Sequence, residues 1–118
     1  MDSLEDVIFY IAGPVTGLPN GNRPMFEQAQ YWLEEQGAVA INPTMLPDGL
    51  KSHQSYMNIC IPMVREAEAI LLLPGWHKSV GAMMEYEEAK RLELPMYHYT
   101  PVQDAFITQL QGAESHGE

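Results

Sequence analysis

Positive charge is what this sequence has least of. Its 118 residues carry 6 Lys and Arg against 16 Asp and Glu, a formal net charge of −10. So few cations cannot displace the counterions of a polynucleotide over a wide surface, which excludes extended nucleic-acid binding. The same shortage excludes adsorption to an anionic membrane. No apolar run approaches the roughly 20 residues of a membrane span, and the N-terminus lacks the basic-then-apolar pattern of a signal peptide. Cysteine is reduced to Cys60, so an internal disulfide and an all-cysteine zinc cluster are both excluded. The expected compartment is the cytoplasm. The four histidines, His53, His77, His98 and His116, form no paired ligand motif, so no metal is expected.

What is present is a globular pattern, 46% hydrophobic, without repeats or linkers. One domain over 1–118 is expected, with its core over about 7–99 and a C-terminal extension over 100–118. Strands are expected at 7–12, 38–42, 69–73 and 96–99, each bounded by glycine or proline. The third run is apolar at every position, as in a central parallel strand covered on both faces. Helices fit between them, at 25–36, 55–67 and 82–92. Asn22 lies in the cap region of the first. Tyr56, Ile59, Cys60, Met63, Val64 and Ala67 mark one face of the second, which Pro62 must kink or divide. A last amphipathic helical piece is expected over 102–110, and 112–118 is expected to fray. The order β-α-β-α-β-α-β implies a small doubly wound, Rossmann-like α/β fold with a parallel sheet of four or five strands and flanking helices. Ligands bind such folds beyond the carboxyl ends of the strands, at the switch point. The segments to inspect are therefore 13–23 and 74–85.

The second of these contains Glu85. At 100° per residue it falls among Ala82, Ala89 and Leu92, in the middle of the apolar face of the third helix. A carboxylate on a buried stripe beside the crevice is poor for stability and suited to a nucleophile or general base. The alternative is a structural glutamate paired to a cation such as Arg23 or Lys78. Ser79 is placed to cap that helix, whose free N–H groups suit an anion. Arg23, at the start of the first helix, is either a phosphate or carboxylate clamp or a surface arginine. Tyr10 ends the first strand within reach of the crevice. Trp76 either stacks on a nucleobase, covers its loop or joins a subunit interface. Neither a GxGxxG nor a GxxxxGK[ST] motif is present.

Tyr10-Ile11-Ala12-Gly13-Pro14 resembles the opening motif of the nucleoside 2-deoxyribosyltransferase superfamily, and Ser79-x-Gly81-Ala82-x-x-Glu85 resembles its nucleophile motif. The longer run from Tyr10 to Pro19, together with Asn22-Arg23-Pro24-x-Phe26, Asn42-Pro43 and Leu73-Pro74-Gly75-Trp76-x-x-Ser79, is similar to a family of short, often phage-borne domains of unassigned function within it. The resemblance spans roughly 8–97. It implies cleavage of an N-glycosidic bond, by hydrolysis or by deoxyribosyl transfer, without a cofactor. Glu85 would be the nucleophile that forms a covalent glycosyl-enzyme and Tyr10 the residue that orients it. Gly13, Pro14, Arg23, Trp76, Ser79 and Gly81 would form the substrate site. A serine at position 79 matches the 5′-monophosphate hydrolases of the superfamily, which points to a nucleotide ahead of a nucleoside. The resemblance also implies a homodimer or larger homo-oligomer, with Met83, Met84 and Trp76 at the interface. One position departs: Cys60 stands where the superfamily carries an acid, and Asn58, Glu66 and Glu68 do not restore it without a shift. A thiol is a poor substitute for a carboxyl group. Hence the alternative expectation, a nucleotide-binding module without turnover.

Overall fold

Alternation in one short strand decides which residues face which helix. β1 (Ile8–Ala12) lies inside the sheet, with a parallel strand on each side. Its odd positions Phe9 and Ile11 point to one face, and its even positions Tyr10 and Ala12 to the other. The computed structural model describes residues 3–100 and the strand at 106–109. Within it follow α1 (Arg23–Glu35), β2 (Val39–Ile41), α2 (His53–Arg65), β3 (Ala69–Leu72), α3 (Val80–Arg91), β4 (Met96–Thr100) and β5 (Phe106–Gln109). The sheet order is β2-β1-β3-β4-β5, with the first four strands parallel and β5 antiparallel to β4. The expected doubly wound α/β fold is the one observed, and the chain reverses direction across the sheet between β1 and β3.

α1 covers one face. Its Phe26, Ala29 and Leu33 recur at helical spacing and pack with Phe9, Ile11, Leu71 and Leu73. Burying such a phenylalanine or leucine contributes roughly 1.5–3 kcal/mol each. α2 and α3 cover the other face, where Met57, Cys60, Val64 and Ala89 meet Tyr10, Ala12, Ile70 and Leu72. β3 is buried throughout, as its unbroken apolar run predicts. The two helices are also tied by charge. Arg65 and Arg91 both hold the Glu88 carboxylate, at 2.8 and 2.5 Å, and bring it down to about 2.

Several expectations need correction. α2 is one helix running through Pro62, not two. Pro62 and Asn58 are both exposed, so the Asn58 carbonyl that loses its donor faces water. The buried stripe of α2 is Met57, Cys60 and Val64, whereas Ile59 is exposed. Asn22 does not cap α1; its side-chain amide donates to the carbonyl of Pro14 at 2.9 Å, closing the loop after β1. The piece over 102–110 contains a strand, not a helix: Phe106-Ile107-Thr108-Gln109 is aromatic and β-branched, and the edge of β4 supplies a backbone partner. The segment 112–118 lies outside the described residues, as does His116. No helix among the described residues is long and apolar enough to cross a membrane.

Candidate active site

The carboxyl ends of β1 and β3 approach closely enough to exclude side chains between them. A Cβ on buried Gly13 would lie 2.8 Å from Cβ of Leu73, and one on Gly75 would lie 3.4 Å from Cγ of Pro14. Only glycine fits at position 13. Pro14 is thereby fixed against the loop that leads into α3. Ser79 ends that loop and caps α3, its Oγ accepting from the Ala82 N–H at 3.1 Å. This sets the rotation of α3 about its axis and aims Glu85 at the sheet.

Glu85 is buried, 5% exposed, and its partner is Tyr10. The phenol, on the even face of β1, donates to Glu85 Oε2 at 2.6 Å. No cation takes this place: Arg23 pairs with Asp48 at 3.3 Å, and Lys78 is exposed. Burial pushes the Glu85 carboxyl up to about 7, against the opposing pull of hydrogen bonds from Tyr10 and then Cys60. Burial likewise pushes the Cys60 thiol up to about 11 and, with the charge of Glu85, raises the Tyr10 phenol well above its ordinary value. Both neighbours therefore keep their protons at neutral pH and act on the carboxylate as donors. A buried carboxylate that shares its time between charged and neutral forms near pH 7, held by two donors, is equipped for nucleophilic or base chemistry.

Tyr10, Cys60 and Glu85 thus form one cluster; Gly13 and Pro14 pack against Leu73 and Gly75. Asn58 accepts from Gln54 and Glu68 from the Ile8 N–H, so neither joins it. Trp76 is half-buried against the layer that holds Tyr10 and Cys60. Arg23 spans to Asp48, and Arg65 is committed to Glu88. The Trp76 indole packs on Tyr86, ring centroids 4.7 Å apart, with His77 and His98 edge-on to it. An open groove of about 320 Å³ runs along the outer side of the first turn of α3, past Ser79, Val80, Met83 and Met84; it does not include Glu85.

Sequence reasoning missed His53 and Met57. A Cβ on Gly81 would lie 3.3 Å from both His53 Nε2 and Met57 Sδ. The start of α2 therefore leans on the first turn of α3, one turn before Glu85. The signal was present in the spacing: His53, Met57 and Cys60 follow i, i+4, i+7.

A comparison with curated proteins finds no match. Among solved structures, the fold is similar to that of a 2-desoxiribosyltransferase from Leishmania mexicana, with a TM-score of 0.63 and 20% identity. The match covers 79% of this chain and 63% of that one, so this chain spans less than two thirds of the length of its relative. A family model described as "Domain of unknown function (DUF4406)" matches residues 7–98, most of the chain, and the chain belongs to that family.

Proposed function

We propose that this chain cleaves the N-glycosidic bond of a nucleotide or nucleoside, with Glu85 as the nucleophile. The observation that carries the reading is the buried 2.6 Å pair between Tyr10, mid-strand in β1, and Glu85 on α3. The Tyr10 bond fixes the orientation of the carboxylate. The raised basicity that burial gives Glu85 strengthens it as a nucleophile toward C1′ of the sugar. Attack forms a glycosyl ester on Glu85 and releases the base; water or a second base then takes the sugar, giving hydrolysis or transfer. The likeness to the Leishmania mexicana 2-desoxiribosyltransferase supports a (deoxy)ribosyl substrate. A 5′-phosphate suits the region of Ser79 and the first turn of α3, where helix geometry leaves backbone N–H groups ahead of the capped Ala82 N–H for an anion.

The experiment is incubation with a panel of deoxynucleotides, ribonucleotides and nucleosides, following free base by chromatography. Base release that disappears in Glu85→Ala is expected. No release by the wild-type chain, or equal release by the variant, overturns the reading. A second reading, a binding module without turnover, is favoured by Cys60 beside Glu85, a thiol held near 11 that gives up no proton. Its mark is a melting shift with nucleotide and no product.

A further inference from the structure

α2 and α3 are tied together at two points. Near their starts, Gly81 is in close contact with α2: a Cβ there would lie 3.3 Å from His53 Nε2 and from Met57 Sδ. Near their ends, Arg65 Nε donates to Glu88 Oε2 at 2.8 Å. The ties come in the same order on both helices, so the two run side by side in one direction. Cys60 lies between Met57 and Arg65 on α2, and Glu85 lies between Gly81 and Glu88 on α3. At about 1.5 Å of rise per residue, the two ties bring Cys60 and Glu85 to within about 3 Å of the same height. Both turn inward, each 5% exposed. Tyr10 reaches the same layer from β1, and Cys60 packs with it. Cys60 thus meets the Tyr10–Glu85 pair from a third element, and its thiol is hydrogen-bonded with both.

We infer that Cys60 is a positioning residue for Glu85, the second donor that holds the carboxylate for attack, a role that rests on the glycosidic reading above. Tyr10 has one proton to give, and it goes to Glu85 Oε2. A carboxylate accepts up to about four hydrogen bonds, and a buried one with a single donor is held from one direction only. The thiol adds a donor from α2, so the carboxylate is fixed from the sheet and from the facing helix at once. Because the thiol keeps its proton, it adds no charge beside Glu85. Among the described residues, Tyr10 and Cys60 are the titratable groups that act on this carboxylate. β3 presents Ile70 and Leu72 to the same layer, and Glu88, the next acid on that side of α3, is held by Arg65 and Arg91.

The test is the pH profile of base release from pH 5 to 9 for the wild-type chain, Cys60→Ala and Cys60→Ser. Serine keeps a donor of nearly the same size, and alanine removes it. A donor to the carboxylate favours its charged form, so losing it moves the acidic limb to higher pH. A thiol is a weak donor, so Cys60→Ala is expected to lower release at pH 7 by about three- to tenfold and to raise the limb by roughly half a unit to one unit. Cys60→Ser is expected to keep the limb at or below its wild-type position. Carbon NMR of labelled glutamate carboxyls follows the same titration without turnover, the Glu85 signal being the one absent in Glu85→Gln. Should Cys60→Ala melt too low to assay, Cys60→Val, which fills the space of the thiol without a donor, takes its place. A Glu85 titration unmoved by loss of the donor, or moved equally in the serine variant, overturns the positioning role and leaves the thiol a filler of the core. Glu85 then stands as the nucleophile on base release alone. A wild-type chain that releases no base overturns the glycosidic reading and this role with it.

Discussion

Tyr10 and Glu85 lie 75 positions apart and meet through one hydrogen bond of 2.6 Å in the buried layer between the sheet and its paired helices. Two periodicities make them meet. The pleat of β1 turns Tyr10 toward α2 and α3, and the Ser79 cap sets the rotation of α3 that turns Glu85 toward β1. The cost of burying a carboxylate is only partly offset by the phenol and the thiol that donate to it, which is why its titration rises to about 7.

Removing the phenol is expected to change rate and pH dependence together. The Tyr10 bond favours the charged form of Glu85, so Tyr10→Phe raises the carboxyl further above 7. A hydrogen bond to a charged group is worth about 1.5–3 kcal/mol, so the turnover of Tyr10→Phe at pH 7 should fall by roughly 10- to 100-fold. Base release measured from pH 5 to 9 should show the acidic limb displaced to higher pH. An unchanged limb with a lower plateau would mean that the phenol touches substrate and does not govern Glu85.

Glu85 should also make the fold less stable as pH rises. The folded chain holds this proton up to about pH 7, and the unfolded chain releases it near 4.5. Between those values the folded state binds more protons, so raising the pH shifts the equilibrium toward unfolding. The penalty is absent below 4.5 and complete above 7, where it amounts to about 3 kcal/mol. Glu85→Gln removes it. The variant should melt roughly 5–10 °C above wild type at pH 8 and close to wild type at pH 5. An equal gain at both values would assign the effect to packing instead of charge.

Most of the fold is legible in the sequence because its signals are local and periodic. The unbroken run at Ala69–Leu72, the spacing of Phe26, Ala29 and Leu33, and the position of Glu85 between Ala82 and Ala89 all declare themselves without knowledge of partners. What escaped depends on a partner elsewhere in the chain. Phe106–Gln109 becomes a strand because β4 presents an edge. Arg23 turns to Asp48, 25 positions away, and no periodicity relates the two. Pro62 suggested a break, and reading the stripe of α2 through Tyr56 and Ile59 hid the line of His53, Met57 and Cys60. That line becomes visible only through the close contact at Gly81.

Two glycines at close contacts differ in what a side chain there would do. Gly13→Ala drives a methyl to 2.8 Å from Cβ of Leu73 and 2.9 Å from its Cδ1, where a backbone-attached carbon cannot withdraw. Overpacking of this kind costs about 1–3 kcal/mol, and the melting temperature of Gly13→Ala should fall accordingly. Gly81→Ala places a methyl 3.3 Å from His53 Nε2 and Met57 Sδ, the far parts of side chains that can shift by a few tenths of an ångström. Alanine also favours the helix by roughly 1 kcal/mol over glycine, so α3 loses nothing in its own stability. The methyl instead presses on the start of α2 at the turn that precedes Glu85. Small misplacements near a reacting group lower rate, and Gly81→Ala should lower base release while melting within a few degrees of wild type. Melting curves and base-release assays on the two variants separate the roles. Retained turnover in Gly81→Ala would mean that the packing of α2 on this turn does not govern the site.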